Sequence, residues 1–140
     1  MMMINTDNLS LARQMDIVFK ELEVELGSMN SGTVFVQIRN NVIGKFGVRH
    51  NPIAGRDGCL KEEGDGLDSE QLDTLRTMAL ESLRFKRYWT HGEISFDFTV
   101  KKDKLMMDAT LESNYNMANL LIQRYPNRSS VHTYKESSSA

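Results

Sequence analysis

The sequence predicts an α+β fold, ordered α-β-β-α-β-β-α, in which two hairpins make an antiparallel four-stranded sheet with helices packed mainly on one face. Three features of the chain predict it. Apolar residues recur at three- and four-residue steps in the stretches 8–26 and 68–87, and they alternate with polar residues in the stretches 33–48 and 93–111. A turn-forming segment interrupts each alternating stretch.

The first helix is read from Leu11, Met15, Val18, Leu22 and Leu26, with Asp16, Glu21, Glu23 and Glu25 on its flanks. Thr6, Asp7 or Asn8 can cap its start, because each side chain accepts a hydrogen bond from an unpaired amide of the first turn. Gly27 is expected to end it in the left-handed conformation. After the polar segment 28–32 the period changes to 2, with Val34, Val36 and Ile38 alternating with Phe35, Gln37 and Arg39. Asn40-Asn41 supplies a turn, since asparagine tolerates positive φ better than other residues with a side chain. The stretch 42–48 returns as a strand loosened by Gly44 and Gly47. Residues 50–66, with Asp57-Gly58 and Asp65-Gly66, read as a functional loop or one holding a short edge strand.

The second helix has the clearest start: Asp68 caps, Gln71 follows three residues later, and Leu67 staples onto Leu72. Leu72, Leu75, Ala79 and Leu83 form its buried stripe, and Arg84, Lys86 and Arg87 complement the helix dipole at its end. Ile94, Phe96, Phe98 and Val100 then share one strand face, residues 101–104 turn, and Leu105, Met107, Ala109 and Leu111 return. A third helix is expected over 114–125, burying Ala118, Leu121, Ile122 and Tyr125, with Pro126 beyond its end. This order and size, with a further strand allowed in 50–66, resemble those of class I type III secretion chaperones, a resemblance that rests on element order and size alone.

A chain of 140 residues suits one α+β domain over 1–126, with 127–140 a polar, frayed tail. An apolar share of 40% against a charged share of 26% is that of a globular chain, not a disordered one. The net charge of −2 argues against bulk nucleic acid or an anionic membrane as the dominant partner. Cys59 is the single cysteine, which excludes an internal disulfide and fits a reducing compartment. Residues 1–7 lack a basic region followed by an apolar run, and no stretch approaches the roughly 18 apolar residues that span a bilayer. A cytoplasmic protein that does not enter the membrane is expected.

No phosphate loop, dinucleotide fingerprint, zinc-protease helix or nucleophile elbow is present, and His50, Cys59 and His91 match no zinc spacing. No catalytic residue, metal or cofactor is therefore assigned. His50, Asp57 and Cys59 share one loop, but a thiol–imidazole pair needs a base within hydrogen-bond reach, and a buried inert cysteine is the simpler expectation.

Three clusters are candidates for binding. Arg84, Phe85, Arg87, Tyr88 and Trp89 mix cations with aromatics, the side chains enriched at protein interfaces. The same mixture would suit single-stranded nucleic acid, and Trp89 would alternatively be core. Arg49 and Arg56 flank a glycine-containing loop, 49–58, that could cradle an anion. If Val100 faces Leu105, Asp97 and Asp108 stand directly opposite each other, and like charges so placed destabilise a strand pair unless something offsets them. The function expected is that of a non-enzymatic regulatory or adaptor protein acting through protein–protein contacts as a homodimer. A small ligand-binding domain or enzyme using the 49–58 loop is the alternative, and single-stranded nucleic-acid binding ranks third.

Overall fold

A computed structural model of the chain describes residues 9–60 and 64–125. It contains α1 (Leu11–Glu21), α2 (Glu23–Leu26), β1 (Ser31–Arg39), β2 (Val42–His50), β3 (Gly55–Arg56), β4 (Cys59–Leu60), α3 (Ser69–Ser82), β5 (His91–Lys101), β6 (Lys104–Ser113) and α4 (Met117–Arg124). The main sheet is antiparallel and four-stranded, in the order β2-β1-β5-β6, so the two hairpins meet through β1 and β5. The predicted α+β class and element order hold. Pro126 and the stretch 127–140 lie outside the described residues, as do Thr6, Asp7 and Asn8.

Ser10 caps α1, its side chain accepting from the Arg13 amide at 3.1 Å. The first helix is not continuous: it breaks at Leu22, and Gly27 keeps a φ of −66°, so the expected left-handed ending is absent. In α3 the capping box forms as the sequence requires. Asp68 accepts from the Gln71 amide at 2.8 Å, and the Gln71 side chain accepts from the Asp68 amide at 3.0 Å. The helix ends at Ser82 and a 3-10 turn carries the chain through Leu83–Phe85.

α1 and α3 cover one face of the sheet. Met15, Val18 and Phe19 of α1 and Leu75 and Ala79 of α3 meet Val34, Val36, Ile38, Ile94, Phe96 and Phe98 in one buried cluster. Arg76 clamps the two helices, donating to Asp16 at 2.9 Å and to Asp73 at 2.8 Å. The hydrogen bond to Asp73, followed by that to Asp16, raises the guanidinium pKa above its ordinary value.

The β2 strand needs an irregularity to fit this core. Val34 pairs with Val48 and Val36 with Phe46, but Ile38 pairs with Ile43, so one extra residue of β2 is accommodated near Gly44 and Lys45. Side chains alternate with period 2, so without this bulge either Ile43 or the Phe46–Val48 pair would face away from the helices. With it, all three pack against the core.

Three two-residue turns hold non-glycine residues at positive φ: Asn40-Asn41 at 52° and 61°, Lys102-Asp103 at 51° and 64°, and Asp57 at 56° before Gly58 at 78°. The third closes β3 on β4, so the 50–66 stretch carries its own small hairpin, separate from the main sheet.

α4 departs from expectation. It starts at Met117, capped by Asn116, and Leu121, Ile122 and Tyr125 remain 39%, 56% and 49% exposed. Its apolar spacing is helical, as read, but α1 and α3 fill the covered face of the sheet, and α4 contributes no residue to the buried cluster.

Trp89 is fully buried, its indole N–H donating to the Lys86 carbonyl at 3.1 Å. A Cβ on Gly92 would collide with the Trp89 ring and with the Glu112 carbonyl, which is why glycine stands there. Trp89→Ala is expected to lower stability by about 3–5 kcal/mol in urea unfolding, as loss of a buried aromatic does. Gln14→Ala is expected to cost about 1–3 kcal/mol, because it strands the backbone groups of Asn41 and Ile43 that Gln14 satisfies.

Candidate interaction surface

The residues that alternate with the core positions of the sheet point away from α1 and α3. Register places them in rows across the strands. One row runs Arg49, Thr33, Asp97, Asp108, and the next Gly47, Phe35, Ser95, Thr110. A third joins Gln37, Glu93 and Glu112, with Lys45 in the bulge beside Gln37. The predicted opposition of Asp97 and Asp108 is present, and both are exposed. The sequence reading missed two further like-charged pairs, Glu93 opposite Glu112 and Lys101 opposite Lys104. The same register count that exposed the first pair, carried four residues in either direction, finds both.

This face divides by charge. Its β5–β6 half carries Glu93, Asp97, Asp108 and Glu112, with Lys101 and Lys104 beyond them at the hairpin turn, while its β1–β2 half carries Arg39, Lys45 and Arg49. The inner acids are held within the chain. Thr33 donates its hydroxyl to Asp97, and Glu93 accepts from Gln37 at 3.2 Å and from Ser95 at 3.3 Å. The outer acids differ: among the described residues, neither Asp108 nor Glu112 forms an ion pair, nor does Arg49 or Lys45.

Phe35 lies on this outer face, out of phase with the core residues as read, and is half-buried. Its ring packs on Gly47, where a Cβ would come within 3.0 Å of it. The Arg49 guanidinium stacks over the same ring at 5.0 Å. Arg49 is therefore committed to the sheet face. Arg56 stands on the exposed two-residue strand β3. At the other end of the face a cleft of about 660 Å³ is lined by Gln37, Arg39, Lys45, His91, Glu93 and the start of α4 at Asn116.

The aromatic–cationic segment is split by the fold. Phe85 is 72% and Tyr88 67% exposed, and Arg87 is exposed too, but Trp89 belongs to the core and is not open to a partner. Arg84 pairs with Glu81 at 2.6 Å and stacks on Phe85 at 5.3 Å. Lys86 sits 5.2 Å from the Trp89 ring. The sequence could not separate two neighbouring aromatics because Trp89 precedes a strand and Tyr88 does not share its orientation.

Cys59 is exposed on β4, which overturns the expectation of a buried thiol. His50 does not serve it: the ring meets Glu25 at 2.8 Å. Among the described residues no cluster of three or more metal-ligating side chains occurs. No helix among them is long and apolar enough to cross a membrane.

Comparison with protein-family models, with curated proteins and with solved structures finds no match.

Asp108→Asn removes one of two opposed charges without disturbing the Thr33–Asp97 hydrogen bond. In dilute protein it is expected to raise stability by about 0.2–1 kcal/mol, read from the urea midpoint.

Proposed function

We propose that this chain is a cytoplasmic regulatory or adaptor protein that works through protein–protein contacts, without catalysis of its own and as a homodimer. The observation that carries this reading is the uncovered surface. Among the described residues, a core closed by two helices leaves the other sheet face uncovered, and large apolar side chains stand exposed on the surface. Tyr115, Phe85, Tyr88 and Met117 are each at least 67% exposed, and Met106 on the open face is 55% exposed. Scattered single apolar residues are ordinary on protein surfaces, but aromatic and methionine side chains exposed to this degree are the groups that interfaces bury. The outer backbone of β6 adds a ten-residue edge to the sheet. The unpaired Cys59 is compatible with a reducing compartment.

The segment Arg84–Tyr88 is the second part of this reading. Phe85 and Tyr88 flank Lys86 and Arg87 just after a helix end, where an aromatic can meet a partner without disturbing the core.

Light scattering at micromolar concentration is expected to give about twice the monomer mass. A single monomer mass across a wide concentration range would remove the homodimer. Phe85→Ala combined with Tyr88→Ala is expected to leave the melting temperature within about 2 °C of wild type, since both rings are exposed, while weakening partner capture.

A further inference from the structure

We propose that the open sheet face is a self-complementary docking surface, on which a second copy of this chain stacks face to face about a two-fold axis parallel to the strands. The inference rests on the homodimer reading above and names its interface.

The strand order fixes what such a stack would bring together. With the strands in the order β2-β1-β5-β6, a two-fold axis running along them between β1 and β5 lays β2 of one copy over β6 of the other. Row heights are preserved by that rotation. Arg49 then faces Asp108 of the second copy, because the two occupy opposite ends of one row. Thr33 faces Asp97, Phe35 faces Ser95, and Gly47 faces Thr110 by the same rule. The alternative axis in the same plane, perpendicular to the strands, would set β2 on β2 and β6 on β6. That arrangement opposes like charges, so electrostatics selects the first.

Two details strengthen the match. Neither Arg49 nor Asp108 forms an ion pair among the described residues, and Asp108 makes none of the side-chain hydrogen bonds there that hold the inner acids Asp97 and Glu93. The Phe35 ring holds the Arg49 guanidinium on the face, so little freedom is lost when it docks. Face-to-face sheets pack about 10 Å apart with strands within about 30° of each other, which keeps such rows in contact.

The size of the face sets the strength. Four strands at about 4.8 Å spacing and nine or so residues at about 3.3 Å make roughly 500 Å² in projection, below the roughly 800 Å² per partner of a standard interface. The start of α4 borders the end of the face that holds Gln37 and Glu93. The contact therefore centres on the row of Arg49 and Asp108, and its association is weak and sensitive to salt.

The symmetry supplies a decisive test. Arg49→Glu alone would set two carboxylates against each other at both copies of the Arg49–Asp108 contact, and Asp108→Arg alone would set two guanidinium groups there. Mixing the two variants removes the repulsion, because one copy then carries two cations and the other two acids. By sedimentation in low salt, each variant is expected to run as a monomer where the wild type is dimeric, and their equimolar mixture is expected to regain the dimer mass. Variants that dimerise like the wild type, or a mixture that stays monomeric beside a dimeric wild type, would overturn this interface and leave the homodimer standing. A wild type that is monomeric throughout overturns both. Should Arg49→Glu fail to fold, Arg49→Gln removes the charge while keeping the strand. It is then expected to weaken wild-type-like association at least tenfold, and unchanged association refutes the stack.

Discussion

The docking of the Asn40-Asn41 turn against Trp89 holds the two halves of the molecule together. The Asn41 side chain accepts from the Trp89 amide at 2.6 Å, while the Asn40 and Asn41 amides donate to the carbonyls of Thr90 and Trp89 at 2.8 and 3.0 Å. Gln14, from α1, donates to the Asn41 and Leu9 carbonyls and accepts from the Ile43 amide at 2.7 Å. Two amide side chains therefore act in series: Gln14 ties a helix to the turn, and Asn41 ties the turn to the residues just before β5. The β1–β5 pairing joins segments far apart in sequence, so it carries the largest loop-closure cost in the sheet. A polar clamp at its end fixes register there, and burial of Trp89 beneath it shields those hydrogen bonds from water.

Fixed register has a consequence on the far side of the sheet. A slip of one residue between β1 and β5 would turn Phe96 and Phe98 outward and Asp97 inward, so the clamp and the core specify the same alignment. The bulge near Gly44 does for β2 what the clamp does for β5. It lets Ile43 and Phe46 both face the helices, and it places Lys45 and Arg49 at the outer side of the same strand. The division of the open face into basic and acidic halves follows from register and bulge.

Much of this was legible in the chain. Periodicity found the helices and strands because each has one face in contact with the core, and the Asn40-Asn41 turn was marked by residues that tolerate positive φ. The capping box at Asp68 was marked by its two polar side chains. What periodicity cannot report is whether a second surface exists to receive an apolar stripe. For α1 and α3 one face of the sheet does; α4 packs on neither that face nor the core, and the same pattern that reads as burial leaves Leu121, Ile122 and Tyr125 exposed. Trp89 and Cys59 fail for a related reason: each lies in a short irregular segment, where burial is set by contacts distant in sequence. The three like-charged pairs of β5 and β6 were recoverable in full from register, and only one was counted.

The open face remains the part of the fold that intrachain physics leaves unbalanced. Opposed carboxylates are tolerable on a solvated strand pair because water and salt screen them. Even so, Asp97 and Glu93 each recruit neighbouring donors, which shows that the chain offsets the charges it can reach. Asp108 and Glu112 lie on the edge strand, where no further strand stands beside them to provide such a donor. Arg49 meets the mirror of this problem on the opposite edge, and there the offset is only the face of Phe35. Cations at one edge and acids at the other sit too far apart to meet across about 14 Å of sheet within one chain. A second copy turned about the strand direction closes that distance without moving a side chain from its row, which makes self-stacking the partner geometry this face matches best.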